Sequence, residues 1–283
     1  MLIKPTQDEA ENQIDFAWAL AQDPSRSGYP TFTDGVKTRE DFEALCRSGF
    51  TSKIRRVLLY LENGMPAGWI QFFYEAENLY LQTEIFNISC DIRRALEEFL
   101  SYCAENFPGY TLYLGFPADN TDAVSCLQAL GLPCVERSYN DVFHFEDYEP
   151  RLELPGVVRV TKENYADFRK LHESVQGDMY WNCERLYDAL DRWMIWMYDK
   201  KNVPAAAIYC MDGADICEIF GVDFTGNVFS GEAFFALITK AMNVCKEKGM
   251  KHMVFFNDAE SQQATLDAGF HCVGEYVLFL GKG

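Results

Sequence analysis

Apolar positions recur at the three- and four-residue spacing of a helix face in two long stretches of the chain. Ile92, Ala95, Leu96, Phe99 and Cys103 share one such face, and Phe234, Leu237, Ile238, Ala241 and Cys245 share another. Shorter, densely apolar runs bounded by turn residues mark buried strands. Residues 57–61 and 67–73 flank Glu62-Asn63-Gly64, and residues 194–198 and 205–211 flank Lys200-Lys201-Asn202, so each pair predicts a hairpin. Each half opens with a short strand, at 2–4 and 157–160, and a helix, at 8–21 and 162–175. Short helices follow at 40–46 and 183–190. After each hairpin comes a third strand, at 78–86 and 215–222, then the periodic helix. A strand at 111–116 or 252–256, a short helix and a last strand close each half.

The two halves repeat one plan. Pro66 and Pro204 stand 138 residues apart, and so do Gly131 and Gly269, in Ala-Leu-Gly-Leu-Pro-Cys-Val and Asp-Ala-Gly-Phe-His-Cys-Val. A shared offset at separated markers is the signature of duplication. With 283 residues the chain has the length of two domains. Residues 147–156 contain two prolines and read as the linker. The expected domains are therefore 1–148 and 156–283.

Composition narrows the classes. Apolar residues make up 48%, with 22 Phe, 15 Tyr and 5 Trp, which provides for packed cores and excludes a disordered chain. Lys and Arg number 25 against 43 Asp and Glu, a net charge of −18, so neither nucleic acid nor an anionic membrane is an expected partner. The ten cysteines contain no C-x-x-C pair and sit mostly in apolar runs, which reads as reduced core thiols in the cytoplasm. No stretch approaches the ~20 apolar residues of a membrane span, and the first residues do not read as a signal peptide. His172, His252 and His271 have no partner at ligand spacing, so no metal is expected. His172 is placed on a polar helix face.

The order strand, helix, helix, three strands, helix, strand, helix, strand resembles the GNAT (N-acetyltransferase) superfamily, twice over. Asn120-Thr-Asp-Ala123-Val-Ser-Cys-Leu127-Gln-Ala-Leu-Gly131-Leu132 and Asp258-Ala-Glu-Ser261-Gln-Gln-Ala-Thr265-Leu-Asp-Ala-Gly269-Phe270 are similar in spacing to the family's Asn-x-x-Ala-x-x-x-Tyr-x-x-x-Gly-Phe. The resemblance implies two tandem GNAT-like acyl-CoA N-acyltransferase folds of the α/β (α+β mixed sheet) class. It also implies acetyl-CoA as co-substrate and direct acyl transfer to a small amine or peptide amino terminus. Leu127 and Thr265 stand where many members use a tyrosine as general acid, which leaves Tyr209 and Tyr276 as candidates for the second half, Tyr276 foremost.

The family's phosphate loop has glycines whose backbone N–H groups meet a pyrophosphate at a helix N-terminus. Residues 86–94 contain no glycine, whereas the second half offers Gly226, Asn227, Ser230 and Gly231. The expected cofactor-binding set is Phe220, Val222, Gly226, Asn227, Ser230, Gly231, Asp258 and Ser261, the first half being a structural pseudo-copy. Read as ordinary turn and cap residues, the same loop would bind nothing.

For the base, strict alternation along the third strand puts Glu218 on one face with Ile216, Phe220 and Val222. A carboxylate there either gains a raised pKa suited to taking an amine proton or is simply solvated or paired with a cation. Tyr180 and Trp181 follow the opening helix of the second half, where they either line an acceptor pocket or pack. Two further readings remain. One is a catalytically inactive GNAT-fold binding or scaffold protein. The other, an aminoacyl-transfer enzyme using charged RNA, is opposed by the net charge.

Overall fold

The computed structural model describes residues 1–177, 179–200 and 203–282. In chain order the elements are β1 (Leu2–Ile3), α1 (Gln7–Glu11), α2 (Ile14–Ala21), α3 (Arg39–Thr51), β2 (Arg55–Glu62), β3 (Met65–Glu75), β4 (Tyr80–Ile88), α4 (Ile92–Asn106), β5 (Thr111–Pro117), α5 (Thr121–Ala129) and β6 (Cys134–His144). They continue as β7 (Val157–Arg159), α6 (Tyr165–His172), α7 (Cys183–Asp188), β8 (Trp193–Lys200), β9 (Val203–Asp212), β10 (Ile216–Phe224), α8 (Gly231–Glu247), β11 (His252–Asn257), α9 (Gln262–Ala268) and β12 (His271–Lys282). The expected opening helix is interrupted at Asn12 and Gln13, and α3 extends past 46 to Thr51. Of the predicted Lys200-Lys201-Asn202 turn, Lys201 and Asn202 lie outside the described residues.

The chain divides into two compact units at places other than the linker at 147–156. Unit 1 is Met1–Ser138 together with the segment from Gly274 onward, and unit 2 is Tyr139–Val273. The reason is an exchange of last strands. From Tyr276, β12 runs antiparallel to β5 in unit 1. From Tyr139, β6 runs antiparallel to β11 in unit 2. Strand pairing is a backbone matter, so sequence alternation alone does not say which edge a last strand joins.

Unit 1 has the strand order β1-β2-β3-β4-β5-β12 and unit 2 the order β7-β8-β9-β10-β11-β6. In each unit one pair is parallel, β4 with β5 and β10 with β11, and the other described pairs are antiparallel. The irregularities also repeat. The first hairpin slips one residue between Tyr60 and Leu61, the second between Tyr198 and Asp199, at the same 138-residue offset as the proline markers.

Each sheet carries helices on both faces. In unit 1, α4 and α5 bury Leu96, Phe99 and Leu127 against Phe72, Phe86 and Leu114, and β12 completes that core with Val277 and Phe279. The opposite face takes α2 and α3 through Ala17 and Phe42 against Trp69 and Ile85. In unit 2, α8 buries Phe234, Leu237 and Ile238 against Ile208, Cys217 and Ile219. The other face packs Phe168, Leu171 and Leu186 against Trp193, Ile195 and Tyr209. The predicted faces of α4 and α8 are the buried ones. Their starts are fixed by side chains that accept first-turn N–H groups, Asp91 for α4 and Ser230 for α8.

Candidate functional site

The site begins with a bulge. Ile219 pairs with Cys210 and Gly221 with Tyr209, which leaves Phe220 as an extra residue in β10. An extra residue reverses the alternation beyond it. Cys217 and Ile219 therefore share the α8 face with Val222 and Phe224, while Phe220 packs on the opposite face against Trp193. The expectation that Val222 shares a face with Glu218 fails for this reason.

The parallel pairing of β10 with β11 runs only from Ile216 to Ile219, opposite His252 to Phe255. Past the bulge the strands part and bound a cleft of about 280 Å³. Its wall includes Tyr209, Phe220, Val222 and Asp223 on one side, Asn227 from the following turn, and Asn257, Asp258 and Ser261 on the other. Five of the expected cofactor residues thus meet there: Phe220, Val222, Asn227, Asp258 and Ser261. Asp258 accepts the N–H groups of Glu260 and Ser261 and the Ser261 hydroxyl, which builds the turn into α9.

Gly226, in the turn after β10, and Ser230 and Gly231, at the start of α8, lie outside the cleft wall. Gly226 has φ 68°, a left-handed conformation that glycine adopts without strain. Asn227 follows at φ 54°. A Cβ built on Gly231 would meet only the Phe229 ring, at 3.9 Å. The loop has no basic residue, but Lys200 reaches the same helix start, pairing with Glu232 at 2.9 Å while the Tyr198 hydroxyl donates to Glu232 at 3.0 Å.

Glu218 is half-buried in the paired part of β10, opposite Met211 and Val254, and is not on the cleft wall. Tyr276 belongs to unit 1, across from Pro117, with its ring 4.6 Å from that of Tyr29 and covering Gly115. Glu218 thus belongs to unit 2 and Tyr276 to unit 1. The Tyr180 ring lies under the Arg185 guanidinium at 4.2 Å, and Trp181 packs edge-on to Trp193. Neither lines the cleft.

The sequence reading missed His172 and Asp223. His172 is fully buried, stacked on Phe168 and edge-on to Tyr209. The expectation of a polar face for His172 fails, because Tyr165, Phe168, Leu171 and His172 are all buried on α6 and share its apolar face. Its Nε2 meets the Trp181 carbonyl at 2.9 Å and its Nδ1 meets Asp223 Oδ2 at 2.9 Å. A carbonyl only accepts, so Nε2 must donate, and the Nδ1 contact then needs a second proton between imidazole and carboxylate. Burial disfavours the imidazolium, but the hydrogen bond and charge of Asp223 and the Trp181 carbonyl outweigh it and raise the His172 pKa. Burial likewise raises the Asp223 carboxyl against the opposing pull of His172. The pair holds a shared proton.

Unit 1 has the same bulge. Ile85 pairs with Gln71 and Thr83 with Phe72, which leaves Glu84 as the extra residue, tied to Arg55 at 2.8 Å. The parallel pairing of β4 with β5 is confined to Tyr80–Gln82 opposite residues 111–113. Here the chain fills the gap with residues 26–29. Ile88 N–H donates to the Arg26 carbonyl at 3.0 Å, and Tyr29 N–H donates to the Gly115 carbonyl at 2.9 Å. Asn87 Oδ1 accepts from Gly28 N–H at 3.3 Å, and Asn120 Nδ2 donates to the Ser27 carbonyl at 3.0 Å. A Cβ on Gly28 would fall 2.9 Å from the Phe86 Cβ and backbone nitrogen, so only glycine fits this approach.

Two α/β units of one strand order, each with a parallel pair that parts at a bulge, define the GNAT fold in tandem, and solved structures agree. Over all of this chain, the GCN5-related N-acetyltransferase from Sphaerobacter thermophilus is similar at TM-score 0.68 and 16% identity, with 95% of that chain covered. A tandem GNAT protein from the clavulanic acid biosynthesis pathway is similar at TM-score 0.56 and 11% identity, covering 100% of this chain and 98% of that one. A putative acetyltransferase from Pyrococcus horikoshii is similar at TM-score 0.55 and 11% identity, covering 100% and 89%. At these identities the likeness is one of fold. No protein-family model matches the sequence, and no curated protein is similar to it in sequence. Among the described residues no helix is long and apolar enough to cross a membrane, and no group of three or more His, Cys, Asp or Glu is placed to hold a metal ion.

Proposed function

We propose that the chain is an acetyl-CoA-dependent N-acetyltransferase acting by direct transfer on a small amine or amino-terminal acceptor, with unit 2 as the working half and unit 1 as a structural copy. The observation that carries this reading is the parting of β10 and β11 at the Phe220 bulge into a cleft, against the filled gap of unit 1. The edge of β10 beyond Ile219 offers backbone groups to the amide-bearing arm of the thioester, and one of its N–H groups would polarise the thioester carbonyl. The start of the 17-residue α8, with the Gly226–Asn227 turn and Lys200 beside it, suits the pyrophosphate. All ten cysteines are free and seven are buried, which fits work in a reducing cytoplasm.

One observation favours the inactive binding protein instead. Thr265, at the family's tyrosine position, is fully buried with its hydroxyl donating to the Ser261 carbonyl and accepting from Asn257, so it cannot serve as the acid. Titration calorimetry of the full chain with acetyl-CoA, followed by a thiol-release assay with primary amines, separates the readings. We expect saturable binding at one site and amine-dependent thiol release. Binding without release by any amine would leave the scaffold reading, and no binding at millimolar acetyl-CoA would remove both uses of the cofactor.

A further inference from the structure

The cleft of unit 2 carries carboxylates on its wall, and among its described lining residues there is no Lys, Arg or His. Asp258 is committed to the turn before α9, and Glu260 is exposed. Asp223 is 5% exposed, has one oxygen held by His172, and still borders the cleft. Across the gap, Asn257 is 4% exposed and also borders it. Its Nδ2 donates to Asp141 Oδ2 at 2.6 Å and to Thr265 Oγ1 at 2.9 Å, which fixes the orientation of the amide. Its Oδ1 is a buried acceptor that finds no donor among the described residues. Such a group is costly to leave unmet, so a ligand that supplies an N–H there gains affinity. The rest of the wall is largely aromatic, with Tyr209, Phe220, Phe224, Phe229 and Phe255, surfaces that attract organic cations.

We propose that Asp223 and the amide oxygen of Asn257 form the seat of a primary ammonium group, so that the acceptor is a cationic amine on an apolar stem and Asp223 receives the proton its nitrogen must lose. This rests on the transferase reading above. In the step, one N–H bond of R–NH₃⁺ breaks and an O–H bond forms on the Asp223 oxygen that His172 does not hold. The nitrogen keeps the electron pair and bonds to the thioester carbon. The C–S bond breaks, the nitrogen's second N–H bond breaks as its proton passes to the thiolate, and the Asp223 proton is released to solvent. The balance is R–NH₃⁺ and acetyl-CoA giving R–NH–CO–CH₃, free coenzyme A thiol and H⁺. His172 is a positioning residue, fixed between the Trp181 carbonyl and Asp223, with Tyr209 from β9 and Cys183 from α7 facing the pair.

The test uses the full chain and three probes of one shape: benzylamine, benzyltrimethylammonium and benzyl alcohol, each read by thermal shift and calorimetry. The seat predicts that the primary amine binds at least about tenfold more tightly than either comparator, because only it brings both charge and N–H donors. Asp223→Asn should abolish that preference and leave acetyl-CoA affinity within about twofold. Equal binding of the three probes by the unaltered protein overturns the seat without recourse to any variant, and a preference that survives Asp223→Asn overturns it as well. Acetyl-CoA is titrated in the same samples. Amine preference without acetyl-CoA binding would overturn the transferase reading and uphold the seat, whereas acetyl-CoA binding without amine preference would overturn the seat alone.

Discussion

The two units share a strand order, a bulge and a parting of strands, and differ in what occupies the gap. Asn87 in β4 pairs with Trp69, and Asp223 in β10 pairs with Ala207, the partner 138 residues on. Each stands three residues past its bulge residue. Asn87 accepts the N–H of Gly28 and so holds residues 26–29 in the gap of unit 1. Asp223 takes the buried His172 instead, and the gap beside it stays a cleft. A neutral amide that can both donate and accept suits a permanent chain partner. A carboxylate that only accepts suits a cation or a protonated ring. At this position the gap that the chain closes has an amide, and the gap that stays a cleft has a carboxylate.

The largest effect expected from breaking this comparison is on stability. Asp223→Ala leaves the buried His172 ring without its carboxylate partner, which should cost about 3–5 kcal/mol in denaturant unfolding of unit 2. The pH dependence has a definite sign. The folded pKa values of His172 and Asp223 are both raised. Stability from a raised pKa is complete below the unfolded value and is lost as pH rises through the folded one. The advantage of the parent over His172→Gln should therefore be greatest below the ordinary imidazole value and shrink as pH rises past it. A difference that grows with pH would contradict the shared proton.

Next in size is the helix start. A Cβ on Gly231 meets open space apart from the Phe229 ring, so Gly231→Trp should hardly change the melting temperature. If a pyrophosphate lies at that N-terminus, the same change should raise the Kd for acetyl-CoA by about ten- to a hundredfold, each tenfold being about 1.4 kcal/mol. Ser89→Trp at the corresponding loop of unit 1 should leave that Kd alone. Equal losses from both would erase the distinction between the units.

Gly28→Val probes the filled gap. The new side chain collides with Phe86, so overpacking should cost about 1–3 kcal/mol of unit 1 stability. Acetyl-CoA titration should be unaffected at room temperature. A variant that instead gains a second acetyl-CoA site would show that residues 26–29 mask a working cleft in unit 1.

Much of this arrangement was legible in the sequence, because periodic faces and markers at a constant offset depend only on the order of residues. The buried faces of α4 and α8 follow from that spacing, and so does the common strand order. What escaped depends on backbone pairing. The edge that β12 joins is not written in its side chains, so Tyr276 was assigned to the second half although it packs on Tyr29 in unit 1. The extra residue at Phe220 reverses alternation, so strict alternation points to Glu218 in the paired strand rather than to Asp223 beyond the bulge. His172 is a different case. It sits four residues after Phe168 on the buried face of α6, a spacing that was open to reading.

The smallest expected effect concerns Lys200, which sharpens the comparison at the phosphate end. The loop before α8 has no cation of its own, and the Lys200 ammonium reaches the helix start from the end of β8 through Glu232. The pair is solvent-exposed, so it contributes little to folding, and Lys200→Ala should leave the melting temperature within about a degree. A pyrophosphate at the helix start would compete with the Glu232 carboxylate for that ammonium. The substitution should then weaken acetyl-CoA binding by about two- to fivefold, the ordinary worth of an exposed charge contact. Because exposed charges are screened, the deficit should be clear near 0.01 M salt, where the screening length is about 30 Å, and fade toward 1 M, where it is about 3 Å. Dephospho-coenzyme A retains the pyrophosphate and lacks the 3′-phosphate, so it should show the same deficit. A deficit confined to acetyl-CoA would move the contact of Lys200 from the pyrophosphate to the 3′-phosphate, and no deficit at low salt would remove Lys200 from the site.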